Sequence, residues 1–184
     1  MHSGGYLRLQ LGAGFTKMST SSGGASLDVS GGGAMFSIAG GGVVAPNLIL
    51  YGAFMFNSAV NPDVKFDGTL VGTGTGDSSA DIVAIGPGVA YYIEPANVFL
   101  SGTLLLAKLT VNDSNGNKTG ESDWGFGIEG QVGKEWWVSD HWGLGAAAQI
   151  LVSAMKDKEA LVAGGEIPTW TATSFSLAFS ATYN

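Results

Sequence analysis

Two charged residues sit where charge is costly. Arg8 and Glu129 are the members of a set of twenty-three charged side chains, eight Lys or Arg and fifteen Asp or Glu, that fall well inside runs of alternating apolar residues. A charge in such a place must be paired or hydrated. Gln10, Gln131 and Gln149 share its parity along their runs, so these five residues form a candidate polar cluster. Two roles follow: a plug that fills and rigidifies an interior, or a gate lining a narrow pore.

Other chemistry finds less support. His2 and His141 are the two histidines, one at the very start and one in a short turn between Asp140 and Trp142. Neither stands beside a nucleophile or paired acids in a pattern that hydrolysis needs, so no catalytic residue is assigned. Asp63, Asp67, Asp77 and Asp81 offer hard oxygens, but without the spacing of a calcium loop. Gly72-Thr73-Gly74-Thr75-Gly76 resembles a phosphate loop, yet no helix pattern follows it. Cysteine is absent, which removes disulfides and thiolate metal sites. No metal or cofactor is expected. The net charge of −7 argues against nucleic acid, which calls for a basic face.

The elements that position Arg8 and Glu129 are strands. Charged residues make up 12% of the chain against 45% apolar, low for a water-soluble domain, and 30 glycines disfavour helices. No apolar run reaches the length of a membrane-spanning helix. Period-two alternation instead marks eight strands, over 6–18, 33–45, 48–58, 81–93, 98–111, 124–136, 142–155 and a last one closing at 183. In the first, Leu7, Leu9, Leu11, Ala13 and Phe15 oppose Arg8, Gln10, Gly12, Gly14 and Thr16. In the last, Phe175, Leu177, Phe179 and Tyr183 oppose Ser174, Ser176, Ala178 and Ser180.

The connections alternate in length. Short turns at 46–47, 94–97 and 139–141 alternate with longer polar segments at 19–32, 59–80, 112–123 and 156–168. Residues 63–74 are read as a possible extension of a hairpin beyond the membrane. This is the pattern of an up-and-down barrel with tight periplasmic turns and long extracellular loops. The face opposite the large residues is mostly Gly, Ala, Ser and Thr, a poor solvent face but a good interior for a narrow barrel. The bulky face is therefore assigned to lipid, where a mid-depth charge costs about 2–4 kcal/mol and none falls. Tyr6, Trp124, Trp136, Trp137, Trp142, Trp170 and Tyr183 lie near strand ends and are expected as interface girdles, together with Tyr91 and Tyr92. The expected fold is an all-β, transmembrane, antiparallel eight-stranded barrel forming one domain over residues 1–184.

With its opening Gly5-Tyr6-Leu7-Arg8-Leu9-Gln10-Leu11-Gly12-Ala13-Gly14 and its closing strand from Phe175 to Tyr183, the chain resembles the eight-stranded outer-membrane barrels of the OmpA/OmpX type. The resemblance is architectural and covers nearly the whole chain. It implies residence in the bacterial outer membrane as a mature chain after signal-peptide removal, with lipid bilayer and lipopolysaccharide as partners. It also implies recognition of the C-terminal strand by the barrel-assembly machinery and a monomeric state; members usually end on an aromatic residue, whereas Asn184 follows Tyr183 here. A structural or narrow-pore role is expected. A barrel that binds adhesion partners or ligands through its loops and a soluble lipocalin-like carrier are the alternatives.

Overall fold

In the computed structural model, which describes residues 4–22, 24–158 and 167–183, the alternating runs form β-strands and no helix is present among the described residues. The strands are β1 (Gly5–Ser22), β2 (Ala25–Ala45), β3 (Leu48–Val60), β4 (Asp63–Phe66), β5 (Thr69–Thr73), β6 (Ser79–Ile93), β7 (Val98–Asn112), β8 (Lys118–Glu121), β9 (Gly125–Trp137), β10 (Trp142–Lys156) and β11 (Thr169–Tyr183). Eight of them, β1, β2, β3, β6, β7, β9, β10 and β11, pair antiparallel in that order, and β11 returns to pair with β1 from Leu7↔Tyr183 to Ser19↔Thr171. These eight strands thus close into a barrel wall without a free edge and find their backbone partners within it.

The pairing also fixes the barrel's geometry. From Tyr6, register partners run through Gly41, Tyr51, Gly88, Thr103, Glu129, Leu151 and Ser174, and arrive back on β1 at Thr16. One circuit therefore shifts the register by ten residues. Ten residues at about 3.3 Å along the strand, against eight strands at about 4.8 Å across, tilt the strands roughly 40° from the axis.

Side-chain parity separates the two faces cleanly. Leu11, Phe126, Ile150, Leu177 and Phe179 are 50–80% exposed on the outer wall. Arg8, Gln10, Glu129, Gln131 and Gln149 are buried inside it. Large apolar side chains standing exposed on the outer wall are the reverse of a soluble barrel; the interior is not lined only by the expected small and polar residues but also takes in bulky ones such as Tyr92, Phe99 and Met155.

Three of the predicted loops contain strand. The 19–32 segment is not a loop: β1 and β2 continue into it, with pairing out to Ser22↔Ala25, and the chain turns at Gly24, whose φ of 88° suits glycine. Its polar composition hid this, because a strand that rises past an apolar layer needs backbone partners but no apolar face. Residues 63–74 do extend a hairpin: β4 and β5 pair with each other, and β4 pairs on the extended part of β2 from Leu27↔Phe66 to Ser30↔Asp63. The third segment folds β8 onto β7, with Thr110 opposite Glu121. Most of the fourth, 159–166, lies outside the described residues, as does His2. The three short turns, together with the start of β1 and the end of β11, share one end of the barrel.

Candidate functional site: the filled lumen

Inward parity stacks the lumen in tiers. At the short-turn end, Tyr6, Tyr51, Tyr92 and Phe99 project inward, with the Tyr6 and Tyr51 rings 6.1 Å apart and those of Tyr92 and Phe99 5.5 Å apart. Two of these rings lie over glycines on the neighbouring strand. Gly133 is the register partner of Phe99, and a Cβ there would come 2.4 Å from the ring; Gly88 partners Tyr51, and a Cβ there would come 2.5 Å from it. The missing side chains are the space the rings occupy.

Arg8 is set among these rings. Its guanidinium lies 4.5 Å from the Phe99 centroid and 5.7 Å from those of Tyr6 and Tyr51, a cation–π arrangement. Its Nη2 approaches Ser101 Oγ at 3.5 Å, while Nε and Nη1 are buried with no protein partner. On the same tier Glu135 is 2% exposed. Both of its carboxylate oxygens lie 3.2 Å from the Tyr92 hydroxyl, which donates, and Thr182 Oγ1 donates at 2.6 Å.

The middle tier holds the glutamines. Gln131 Nε2 donates to Gln10 Oε1 at 3.1 Å and approaches Gln149 Oε1 at 3.4 Å, and Ser37 Oγ donates to Gln10 Oε1 at 2.8 Å. Glu129 accepts from Thr103 Oγ1 at 2.8 Å, and Thr103 also meets the Tyr51 hydroxyl at 2.9 Å. Toward the long-loop end the filling turns apolar, with Met18, Met155, Ile82, Leu109 and Leu151 buried. Small polar pairs are threaded among them: Thr16 with Ser174 at 2.8 Å, and Ser176 donating to Asn57 at 3.3 Å.

The five candidate polar residues all point into the lumen. The hydrogen-bonded bridge centres on Gln10 and Gln131, not on Glu129, because inward parity aims Glu129 at Thr103, its direct register partner on β7. Arg8 sits nearer the short-turn end and packs against aromatic faces.

The girdle assignment needs correction at Tyr6, Trp170, Tyr92 and Trp137. Trp124, Trp136, Trp142 and Tyr183 are exposed on the outer wall; Trp137 is exposed at the strand end but shares the inward parity of Glu135, and Tyr6 and Trp170 are buried inside. Tyr6 shares the parity of Arg8 two residues on, and Trp170 shares that of Ser174; the Trp170 indole donates to Asp157 at 3.0 Å. Tyr92 is likewise inward and fully buried, while Tyr91 faces out. Sequence reasoning also missed Glu135, Tyr51 and Phe99. The parity that placed Glu129 and Gln131 inward, carried to the end of the strand, reaches Glu135.

The remaining candidates are placed as follows. The His141 ring packs 5.8 Å from that of Tyr183 at the short-turn end. The loop aspartates are held by their own surroundings: Thr73 donates to Asp63 at 2.6 Å, the Ser26 amide to Asp67 at 2.8 Å, and Ser58 to Asp81 at 2.6 Å.

No protein-family model and no curated protein matches the chain. Solved structures do. Neisserial surface protein A superposes with a TM-score of 0.60 at 15% identity, covering 100% of this chain and 98% of that one. Outer membrane protein OprG from Pseudomonas aeruginosa gives 0.60 at 12% identity, with the same coverage. Outer membrane protein AlkL, solved in lipid bilayers, gives 0.56 at 17% identity over 99% of this chain and 90% of that one. At such identities the likeness concerns architecture, and this chain has the fold of the small eight-stranded outer-membrane barrels.

Proposed function

We propose that this chain is an integral protein of the bacterial outer membrane whose lumen is a plug and not an open pore. Its short turns face the periplasm and its long loops the exterior. One observation carries the reading: the bulky apolar residues form the exposed outer wall, while charged, amide and aromatic side chains fill the interior and bury one another. Exposed Trp124 near one end of the β9 wall and Trp136 near the other are twelve residues apart, which at a 40° tilt is roughly 30 Å along the axis, about one hydrocarbon layer. The soluble-carrier alternative loses its basis with the apolar wall turned outward. A structural role fits a filled lumen, and β11 with outward Phe175, Leu177 and Phe179 is the strand offered to the assembly machinery.

Refolding in detergent, followed by gel migration with and without boiling and by planar-bilayer recording, tests both halves. The folded form should migrate differently from the boiled one and give no resolved channel steps. Discrete conductance steps would remove the plug; monodisperse behaviour without detergent would remove the membrane location.

A further inference from the structure

One strand above the wall is paired on one side only. Each of the eight wall strands has a neighbour on both sides, whereas β5 ends the sheet path and pairs with β4 alone. Its register with β4 steps from Val64↔Gly72 to Lys65↔Leu70, so Val71 is a bulged residue that no residue of β4 answers. All five residues of β5 are exposed, Leu70 and Val71 being the bulky ones. Among the described residues, the backbone on its outer side meets no partner. Free edges are ordinarily blunted by charge, by proline or by a covering element. The strand β8 follows that rule: Glu121 is ion-paired with Lys108, Lys118 and Lys158, and Ser122 bridges on to Asp157. Around β5, residues 68–76 hold no charge and no proline.

An unblunted edge recognises backbone. Its open N–H and C=O groups take an extended chain as one more strand, and side chains at alternate positions add specificity. Three features define that chain. Height places it outside the bilayer: at a 40° tilt one strand step adds about 3 Å and one residue about 2.5 Å along the axis, which sets Leu70 roughly 14 Å beyond Trp124. Charge favours a basic segment, because between β3 and β6 the three carboxylates of Asp63, Asp67 and Asp77 outnumber the one ammonium of Lys65, leaving two negative charges. Symmetry disfavours a second copy. Two copies in one membrane are related by a dyad along the membrane normal. A strand tilted about 40° would then cross its mate at about 80°, far from the roughly 20–25° between paired strands.

We propose that the outer edge of β5 is a docking strand for an extended, basic segment of another protein on the long-loop side, bound as an added β-strand. The site goes beyond the plugged-barrel reading and uses it only to set β5 outside the bilayer. Hydrogen exchange of the barrel in phosphatidylcholine nanodiscs, with and without the peptide Lys-Val-Thr-Val-Thr-Val-Lys, tests it. The peptide should slow exchange in β5 and leave the wall strands unchanged. The same peptide N-methylated at every Val and Thr keeps its side chains and loses its donors; it should leave β5 unprotected, an arm that needs no variant to fold. A counterpart with Glu in place of both Lys should bind at least about tenfold more weakly, as mismatched charge at the edge requires. Protection elsewhere, no protection, or equal protection by the methylated or the acidic peptide would overturn the site. Protection of β5 that needs no peptide and grows with the number of barrels per disc would assign the edge to a second copy and overturn it too. Protection of β5 by the peptide in a chain that does not insert would keep the edge and defeat the membrane reading, whereas insertion without protection defeats the edge alone.

Discussion

The side-chain amide of Gln131 reaches across the lumen to donate to Gln10 at 3.1 Å, joining β9 to β1, strands that are not neighbours in the wall. Because Gln10 also accepts from Ser37, and Gln131 approaches Gln149, the bridge ties four strands at one level. A double-mutant cycle tests it. Gln131→Ala should lower unfolding stability by about 1–3 kcal/mol, the cost of leaving a buried partner unpaired. Gln10→Ala combined with it should fall short of additivity by at least about 0.5 kcal/mol. Strict additivity in urea unfolding would mean that the two side chains do not meet.

Arg8 separates packing from charge. Its guanidinium touches three rings and one hydroxyl, and two of its nitrogens have no protein partner. Arg8→Met keeps most of the volume and relieves a buried cation, so stability should stay within about 1 kcal/mol or rise. Arg8→Ala should cost about 2–5 kcal/mol through the cavity left among the rings. If both variants lose the same amount, charge and not filling is what the site supplies.

Gly133 and Phe99 should behave as one unit. Gly133→Ala drives a methyl into the ring and should destabilise by about 1–3 kcal/mol, the usual cost of overpacking. Phe99→Val in the same chain should recover part of that loss. Equilibrium unfolding of the single and double variants in one detergent is the check; an unperturbed single variant would show that the ring does not lie on the glycine.

The carboxyl of Glu121 is held well below the ordinary carboxylate range by hydrogen bonds from Lys108, then Lys118 and Lys158. Its folded pKa is below its unfolded one, so its contribution is present above the unfolded value, about 4.3. That contribution is lost only as pH falls through the much lower folded value. Hydrogen exchange at β8 should therefore stay slow from neutral pH down to about pH 4. Glu121→Gln should expose β8 to exchange already at neutral pH. Deprotection of the native chain in mild acid would contradict the three-lysine clasp.

The orientation of the wall has its own check. Ile150→Arg places a charge near mid-depth on the outer face and should destabilise the inserted barrel by about 2–4 kcal/mol. A cost near zero in vesicle-based unfolding would mean that Ile150 does not meet hydrocarbon.

Strand positions and the inward or outward choice are legible in the sequence, because a barrel in lipid demands opposite chemistry on its two faces and Leu9 next to Gln10 already states it. Parity held even where reading by location failed. Tyr6 and Trp170 stand near strand ends, as girdle residues do, yet each belongs to the inward series. The extension of β1 and β2 was hidden by Ser and Asp, since beyond the apolar layer neither face needs to be hydrophobic. Contacts across the barrel were beyond reach, because Arg8 meets Phe99, and Gln10 meets Gln131, only through the ten-residue register shift. The lysine cluster was hidden for a similar reason: residues 108, 118 and 158 approach each other only once β8 displaces β9 at the rim.

The glutamine bridge has a consequence for how this architecture can vary. Adding or deleting a hairpin changes the circumference, and two amides that just touch across eight strands would stand apart across ten or collide across six. The contents of the lumen thus act as a gauge of diameter, so strand number and interior side chains cannot drift independently in descendants of this chain.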